Sequence, residues 1–312
     1  MMYSSEQRKL LTLACELEAK SPSSLYLVGG LVRDLFLGHD IEDKDIDFLV
    51  DGDAEEFAQS VVGITGGKLE RYPQFLTAKI VSPDIFTSIK EIDFASAREE
   101  TYEHPGALPC VRQSSLEHDL QRRDFTVNAI ALPISEAHKQ RDELLQVAID
   151  PFDGRSDLQQ GLIRVLHDES FRDDPTRLFR ACRYLARMQG TLAEETQELF
   201  REAIKANAIH LLSAFRQFRE IDKIFQEPGV LSILDWMVTL ELYDQCELLS
   251  TVSPGALRDG VGALPEGRVG SESIFVLLFR LTSDMGELTQ AFRNANVSKK
   301  KIERFKELGL AK

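Results

Sequence analysis

Two aspartates separated by one residue, Asp45 and Asp47, are the clearest candidates for chemistry in the sequence. They lie in residues 45–50, where acidic and apolar residues alternate, and this pattern predicts a β-strand. On a strand this spacing points both carboxylates to one face, where they repel each other unless a cation lies between them. Mg²⁺ suits such a pair, because it binds one or two carboxylates together with substrate phosphates. The same pair also fits a solvated strand edge or an acidic loop, so its neighbours decide.

The segment before the acidic pair has the character of a phosphate-binding turn. A short apolar strand at residues 25–28 runs into Gly29 and Gly30, and a helical stretch follows that ends at Gly38. Paired glycines let the backbone approach a phosphate, and the amides at the start of a helix attract anions. Arg33, one turn into that helix, adds a positive charge. Strand, glycine pair, helix and acidic strand together predict a phosphate site facing a metal site.

At this point the chain resembles a known family. LVGGLVRDLFLG followed by DKDIDFLV is similar to the opening motif of the tRNA nucleotidyltransferase/poly(A) polymerase family, in its bacterial and eukaryotic class (class II). The resemblance implies that Asp45 and Asp47 hold catalytic Mg²⁺ and that the glycines and arginine serve the nucleotide. The residues that fall where this motif needs them are Gly29, Gly30, Arg33, Asp34, Asp45 and Asp47.

A second motif lies at residues 122–130, which read RRDFTVNAI. By itself this sequence predicts the start of a helix, with Asp124 or Thr126 as its cap. It also resembles the family's second motif, and that resemblance implies that Arg123 contacts the triphosphate. Asp124 and Asn128 are then expected to hold the sugar or to order its surroundings. The chemistry agrees, because selecting a ribose hydroxyl needs a polar side chain that can pair with it.

Between the two motifs, the alternating residues 91–94 predict another strand that carries Asp93. Asp93 is either a third catalytic carboxylate or a structural acid, and the sequence does not decide between these interpretations. Arg98 is similar to a family arginine that lies near the phosphates. Residues 99–121 correspond to the family's mobile loop, and their proline and glycine content suits mobility.

The third candidate element is the segment of residues 171–188, in which Pro175 stands at the start of the predicted helix. A solvated helix face is the simpler interpretation of its basic stripe. The segment nevertheless resembles the family's fourth motif, with Asp173-Asp174 standing where Glu-Asp is usual. At about 100° per residue, one stripe of this helix carries four arginines, namely Arg177, Arg180, Arg183 and Arg187.

This resemblance implies that Asp174 and Arg177 read the nucleobase. Cytosine and adenine present an amino donor beside a ring-nitrogen acceptor, whereas guanine and uracil present the reverse pattern. An ionised Asp174 only accepts and Arg177 only donates, so the pair suits C and A. Against G and U it leaves buried groups unpaired, which rejects them strongly. Arg180 and Arg183 are expected to make further base or phosphate contacts.

The organisation of the chain predicts an α+β head followed by helices. We expect a nucleotidyltransferase head of the polymerase-β type at residues 1–135, an all-α neck with the base-reading helix at 136–225, and a short body with an abbreviated tail at 226–312. The segment 251–273, rich in Gly, Pro and Ser, is predicted to be a loop. The dipeptide His167-Asp168 is interpreted as structural. Helical periodicity is found at residues 174–188, 193–206, 211–226, 230–249, 274–294 and 298–308.

Composition fits a folded protein but says little about the partner. The chain has 312 residues, 43% of them hydrophobic, which excludes the disordered and fibrous classes. Its net charge of −14 by itself argues against nucleic acid as a partner. The charge is unevenly distributed, however: nine acids and one lysine give −8 at residues 40–56, while 163–190 carries +2 and 298–312 carries +4. The acidity therefore marks the predicted metal site, and the basic segments are where RNA is expected to lie.

The sequence thus predicts a template-independent nucleotidyltransferase that adds C, A or both from CTP and ATP to the 3′ end of tRNA, with Mg²⁺ as cofactor. Enzymes that add only CC, only A, or poly(A) remain open alternatives. From other classes, an RNA-binding or regulatory relative and a protein-modifying nucleotidyltransferase also remain. The four cysteines include no CxxC pair, and the N-terminus lacks the apolar core of a signal peptide, so a cytoplasmic protein with reduced thiols is expected.

Overall fold

The computed structural model describes residues 3–42, 45–265 and 270–310. The chain divides into two units, one formed by Met1–Glu103 and Pro109–Leu166 and the other by His104–Leu108 and His167–Lys312. The predicted head, neck and body boundaries at residues 135 and 225 remain predictions.

The first unit is built on a six-stranded sheet with the order β3-β4-β5-β2-β1-β8. The β2–β5 pair is parallel, whereas β1–β2, β1–β8, β3–β4 and β4–β5 are antiparallel. A separate antiparallel ribbon joins β6 and β7. The strands are β1 (Ser24–Val28), β2 (Asp47–Asp51), β3 (Lys68–Tyr72), β4 (Thr77–Val81), β5 (Glu91–Ser96), β6 (Arg98–Thr101), β7 (Cys110–Gln113), β8 (Ala131–Pro133), β9 (Leu162–Ile163) and, in the second unit, β10 (Thr191–Leu192).

Helices cover this sheet and supply its core. In the sheet core, Phe48 stacks on Phe94 with ring centroids 5.1 Å apart, and Phe57 from α3 reaches the same ring at 5.9 Å. These aromatic contacts anchor the strand that carries Asp47, because Phe48 follows it directly. The helices of this unit are α1 (Ser5–Glu18), α2 (Gly30–Leu37), α3 (Ala54–Thr65), α4 (Leu116–Gln121), α5 (Arg141–Val147) and α6 (Gly154–Gln160).

The second unit is helical in its described residues, apart from the two-residue strand β10. Its core is a cluster of phenylalanines in which Phe275 contacts Phe218, Phe225, Phe292 and Phe305 at centroid distances of 5.2–5.7 Å. No helix in the part of the chain that the structure describes combines the length and apolar character needed to cross a bilayer. The helices are α7 (Ser170–Asp173), α8 (Thr176–Met188), α9 (Glu194–Lys205), α10 (Ala214–Gln226), α11 (Val230–Thr239), α12 (Pro254–Gly262), α13 (Ser271–Leu281), α14 (Met285–Asn294) and α15 (Lys299–Leu310).

The α+β head and helical remainder are confirmed, but three sequence-based element boundaries were wrong. The predicted loop at 251–273 contains α12, which Ser253 caps and Pro254 begins, and the buried pair Leu257 and Val261 holds it to the core. Residues 266–269 of that segment lie outside the described residues. A serine followed by proline starts a helix as readily as it marks a turn, so composition alone misled the prediction.

The predicted helices at 230–249 and 274–294 each end earlier than periodicity suggested. α11 ends at Thr239 because Glu241 adopts a left-handed φ of 59°, and the amide of Leu242 donates to Met237 O. The second stretch is two helices, with Asp284 capping α14 through the amide of Glu287. In both places buried apolar residues continue the helical spacing across a local break, which conceals that break in the sequence.

Candidate active site

The catalytic candidates lie on one row of the first unit's sheet. Asp47 on β2 pairs in register with Asp93 on β5, and Asp93 pairs in turn with Lys79 on β4. Directly opposed residues on neighbouring strands project from the same face. The structure starts β2 at Asp47, so the exposed Asp45 precedes the strand and does not share it as predicted. Its charge nevertheless acts on both Asp47 and Asp93.

Negative charge at this row is only partly compensated. Burial of the carboxyl group, together with the charges of Asp93 and Asp45, raises the pKa of Asp47 to about 6, although Arg123 and Lys79 oppose the rise. Asp47 is nevertheless an exposed residue, so protein atoms surround its carboxylate only in part and the carboxylate stays open to solvent. Burial also raises the pKa of Asp93, again against the influence of Lys79. The simultaneous ionisation of neighbouring carboxyl groups is unfavourable, so a cation that binds beside them is stabilised by their charge.

The residues present fit a hard divalent cation with an open coordination sphere. Within residues 3–42, 45–265 and 270–310, no group of three His, Cys, Asp or Glu side chains forms a complete metal cage. Mg²⁺ does not require one, because it keeps several waters and takes one or two carboxylates plus substrate phosphates. Asp45 and Asp47 supply carboxylate oxygens whose negative charge is only partly neutralised by neighbouring groups, and these are the protein ligands that Mg²⁺ prefers.

Gly29 brings the glycine turn, the carboxylates and the second motif together. It caps α2 with φ 73° and ψ −137°, a backbone conformation that side chains rarely adopt. A Cβ built on Gly29 would lie 3.8 Å from both Arg123 Nη1 and Asp47 Oδ2. The turn therefore passes between a cationic and an anionic group, with Gly30 opening the helix beside it.

Arg33 lies in the interior and organises the sugar motif. It is 1% exposed, and its Nε and Nη2 donate to Asp34 Oδ1 at 3.0 and 2.7 Å. Its Nη1 donates to Asn128 Oδ1 at 2.8 Å, and Asn128 Nδ2 donates to Asp124 Oδ1 at 2.9 Å. This chain of charge-assisted hydrogen bonds fixes the orientation of the Asn128 amide. A direct phosphate contact of Arg33 stays a prediction.

A buried acid that the sequence interpretation missed holds the arginines of the second motif. Asp119 is 0% exposed, and its Oδ2 accepts from Arg123 Nε and Nη2 at 3.2 and 2.8 Å. Its Oδ1 accepts from Arg122 Nε and Nη2 at 2.9 and 2.5 Å. Burial by itself raises the pKa of Asp119, but the two guanidinium groups outweigh it and hold the pKa below its ordinary value. The sequence does contain a signal for this role of Asp119, because arginines follow it three and four residues later, the spacing at which side chains meet on a helix.

Arg98 is also occupied by protein partners. Its Nη2 donates to Glu100 Oε1 at 3.0 Å, and Nη1 donates to the carbonyl of Phe75. Arg122 donates to the same Glu100 oxygen at 2.7 Å, so the two arginines share one acid. The phosphate contact expected of Arg98 stays a prediction.

Neutralising Asp119 is expected to destabilise the first unit. Asp119→Asn removes the buried carboxylate charge that two largely buried guanidinium groups share, although Arg122 keeps its contact with Glu100, and breaking a buried pair in this way costs about 3 kcal/mol. Urea unfolding of both proteins measures the change. The control Glu198→Gln removes one exposed pair with Arg201, at the same helical spacing of three residues, and is expected to cost less than about 1 kcal/mol. Equal losses in both variants would contradict the structural role of Asp119.

In the second unit, Asp174 follows α7 and is held by groups that were not all foreseen. Its Oδ1 accepts from the amide and hydroxyl of Thr176 at 3.1 and 2.7 Å and from Arg216 Nη2 at 2.8 Å. Arg216, on α10, also donates from Nη1 to the carbonyl of Gly106 at 2.7 Å. In the sequence, Arg216 belongs to the predicted helical stretch 211–226, which indicates its helix but not its partner.

Arg177, in the first turn of α8, is buried and only 4% exposed. Its Nη1 donates to Ser170 Oγ at 2.5 Å and lies 3.3 Å from His167 Nε2. Burial and the charge of Arg177 lower the pKa of His167, so a neutral imidazole can accept from the guanidinium. His167, the first residue of the His167-Asp168 dipeptide, thus supports Arg177.

The rest of the basic stripe is bound to protein partners. Arg180 Nη2 donates to the hydroxyl of Tyr184 at 3.0 Å, and its guanidinium carbon lies 5.5 Å from the centre of that ring. Arg183 and Arg187 each donate to Glu227 Oε1 at 2.7 Å. Direct nucleotide contacts of Arg180 and Arg183 therefore stay predictions.

Comparison with known proteins finds a matching family and relatives that cover most of the chain. Residues 25–164 match the family described as the Poly A polymerase head domain. The chain is 37% identical over 237 residues to an A-adding tRNA nucleotidyltransferase of Halalkalibacterium halodurans, covering 75% of this chain and 53% of that protein. It is 31% identical over 284 residues to a CC-adding tRNA nucleotidyltransferase of Deinococcus radiodurans, covering 84% and 71%.

The fold agrees with these matches. The Thermotoga maritima CCA-adding enzyme, solved in complex with tRNA, superposes with a TM-score of 0.76 at 26% identity, over 98% of this chain and 70% of that one. The chain spans only about half of the Halalkalibacterium halodurans relative, at 53%. From the motifs, the fold and these similarities together, the chain belongs to the tRNA nucleotidyltransferase and poly(A) polymerase family.

Proposed function

We propose that the protein is a template-independent nucleotidyltransferase that adds C, A or both from CTP and ATP to the 3′ end of tRNA, releasing pyrophosphate. The observation that carries the proposal is the row of Asp47 and Asp93, with Asp45 beside it and with Gly29 lying between Asp47 and Arg123. A protein that only binds RNA does not need a group of carboxylates whose negative charge is incompletely neutralised, next to a glycine turn and an arginine that suit a phosphate. A cytoplasmic location belongs to the proposal, because its nucleotide and tRNA substrates are available there.

Each group of the first unit has a part in this reaction. Asp45 and Asp47 hold Mg²⁺, which when bound supplies charge stabilisation for phosphoryl transfer and lowers the pKa of the attacking hydroxyl. The backbone at Gly29 and Gly30 and the guanidinium of Arg123 bind the triphosphate, and Asp119 fixes that guanidinium in place. The RNA 3′-hydroxyl attacks the α-phosphate, the bond to the β-phosphate breaks, and pyrophosphate leaves without a covalent enzyme intermediate.

The proposed sugar site is a preorganised pair, Asp124 and Asn128. Asn128 already uses its Oδ1 to accept from Arg33 and its Nδ2 to donate to Asp124. We infer that Asp124 and Asn128 hold the ribose or order its surroundings, with Asn128 keeping the Asp124 carboxylate oriented. Arg33 therefore acts as a positioning residue for this pair.

Base selection is proposed to reside in the second unit. Hydrogen bonds from Thr176 and Arg216 fix Oδ1 of Asp174. Among the described residues none donates to Oδ2, which leaves this oxygen to accept from the amino group of cytosine or adenine. Arg177 supplies the donor, oriented by Ser170 and His167. G and U present a carbonyl to Asp174 and are rejected.

The test supplies the full chain with Mg²⁺, one labelled nucleotide at a time and defined acceptors. The acceptors are tRNA lacking CCA, tRNA ending in C, tRNA ending in CC, and an unrelated RNA of equal length. We expect incorporation of CTP or ATP into at least one tRNA, little or none of GTP and UTP, and no growth of the unrelated RNA. Extended ATP addition to any RNA would favour poly(A) synthesis. If no RNA is labelled, or if the label enters protein instead, the proposal is wrong.

A further inference from the structure

A buried hydrogen bond holds the turn that carries Asn128. Thr126 begins the 3₁₀ helix Thr126–Asn128, and its hydroxyl donates to Asp157 Oδ2 at 2.6 Å. Asp157 lies on α6 and is 4% exposed, while Thr126 is 2% exposed. The hydrogen bond therefore joins two buried side chains from separate parts of the first unit.

The segment that contains α6 and β9 makes further contacts with Thr126. Arg164 directly follows β9, its Nε donates to Asp157 Oδ2 at 3.1 Å, and its carbonyl accepts from the amide of Thr126 at 2.9 Å. Gly154 opens α6, and a Cβ built on it would lie 2.2 Å from the carbonyl oxygen of Thr126. The hydroxyl, the amide and the carbonyl of Thr126 are thus all in contact with this one segment.

An ion pair that only stabilises α6 does not account for this arrangement. Asp150 is such an acid, since it accepts from the amides of Gly154 and Arg155 and from Arg155 Nε, all within its own loop and the start of the helix. Asp157 instead accepts from a hydroxyl that lies 31 residues earlier in the chain. A hydrogen bond to a carboxylate is short, strong and directional. It therefore fixes Thr126, which stands two residues before Asn128.

We propose that Asp157 is a positioning residue for the sugar site: through Thr126 it holds Asn128 where the site meets the 2′-hydroxyl of the incoming nucleotide. This inference rests on the proposed function. Arg33 orients the amide group of Asn128, whereas Asp157 fixes the backbone from which that amide group projects. Because the 2′-hydroxyl distinguishes a ribonucleotide from a deoxyribonucleotide, the role of Asp157 is expected to show in the choice of sugar.

Thr126→Val tests the inference with the smallest change of shape. The variant loses the hydroxyl but leaves the pair of Asp157 and Arg164 in place. We expect kcat/KM for CTP to fall about tenfold, the usual order for the loss of a hydrogen bond to a charged group. The value for 2′-deoxy-CTP is expected to change little, because this nucleotide lacks the hydroxyl that the site recognises. A residue that served only the fold would lower both values together.

The measurement is kcat/KM for CTP and 2′-deoxy-CTP on one tRNA acceptor, or for the ATP pair if the wild-type protein adds A. Binding of the same two nucleotides is measured without RNA by isothermal titration calorimetry. Thr126→Ser keeps the hydroxyl and is expected to keep the wild-type preference for the ribonucleotide. Thr65→Val is the matched control, because Thr65 is also fully buried and its hydroxyl donates to the carbonyl of Val61 at 3.1 Å. This control is expected to leave the preference unchanged.

Gly154→Ala disturbs the same turn without removing a polar group. Its added Cβ must displace the carbonyl of Thr126, so the preference for the ribonucleotide is expected to fall in this variant as well. Gly63→Ala is its control, since among the described residues no atom lies within 4 Å of a Cβ built there. Urea unfolding identifies the variants that fold. If folded Thr126→Val or, should it not fold, folded Gly154→Ala retains the wild-type preference, the inference is overturned.

A double variant shows whether Asp157 and Thr126 act through their shared hydrogen bond. Asp157→Asn is expected to lower the preference as Thr126→Val does, and the two changes together are expected to lose no more than the larger single loss. If the two losses multiply, Asp157 does not act through Thr126 and the inference is wrong. Binding without RNA separates this failure from that of the proposed function. A wild-type protein that prefers CTP to 2′-deoxy-CTP but extends no RNA contradicts the proposed function alone, whereas equal binding of both sugars contradicts the inference.

Discussion

Asp47→Asn is expected to reduce nucleotide incorporation at least about a thousandfold, because removal of a charged metal ligand forfeits several kcal/mol of transition-state stabilisation. Asparagine keeps the shape of the side chain, so β2 and its contacts with β5 are expected to persist. The measurement is the single-turnover rate of CTP or ATP addition to tRNA at saturating Mg²⁺. Asp47→Ala is expected to give the same loss.

The stability of Asp47→Asn provides the decisive accompanying measurement. Burial and Asp93 raise the pKa of Asp47 to about 6, so the ionised side chain destabilises the folded protein at neutral pH when no metal is bound. The neutral variant is therefore expected to be as stable as the wild-type protein or more stable, by no more than about 1 kcal/mol once solvent screening is considered. The result is measured by urea unfolding in metal-free buffer at pH 7.

Asp51→Asn is the matched control, since Asp51 is an exposed acid at the other end of the same strand, opposite Ser24. Its activity is expected to be unchanged. A folded Asp47→Asn protein that retains more than about a tenth of the wild-type rate would rule out a catalytic role for Asp47, since a lost metal ligand costs far more. Loss of activity through unfolding would appear as a fall in stability and would also contradict the prediction.

Local sequence patterns carry much of this site but not its neighbours across strands. The glycine turn at Gly29 and the strand beginning at Asp47 lie only 18 residues apart in the chain, with one helix between them, so their spacing predicts their chemistry. Lys79 and Asp119 are not placed by such spacing, because the strand order β4-β5-β2 and the packing of α4 decide what they face. An isolated lysine in a strand is typical of a solvated face, and only the register shows that it opposes Asp93.

The same limit explains the misassigned helices and the late appearance of Arg216. Arg216 lies 42 residues after Asp174, and helical periodicity indicates which face of α10 is buried, not which acid its polar side chains reach. The helix at 254–262 was concealed for a related reason. Its glycines and proline suggest a loop, whereas Leu257 and Val261 make it a helix through burial. Tertiary contacts override composition in both cases.

Asp174→Ala is expected to relax the choice among nucleotides about a hundredfold or more, by lowering the preference for C and A over G and U. The wild-type carboxylate accepts a hydrogen bond from an amino group and is left unpaired against a carbonyl. Alanine removes both the hydrogen bond to the amino group of C and A and the unpaired carboxylate that faces G and U. The addition of C and A is therefore expected to slow, while the addition of G and U stays the same or becomes faster. The measurement is kcat/KM for all four nucleotides on one tRNA acceptor.

Two further variants test how Asp174 is oriented. Arg216→Met removes the guanidinium that binds Asp174 Oδ1 at 2.8 Å, and Thr176→Val removes a hydroxyl at 2.7 Å. Both leave the carboxylate in place but free it to rotate, so each is expected to lose a part of the selectivity that Asp174→Ala loses. Asp168→Ala, an exposed acid of the same unit, is the control and is expected to leave selectivity unchanged. If Asp174→Ala slows all four nucleotides by the same factor, Asp174 supports the fold of the second unit and does not read the base.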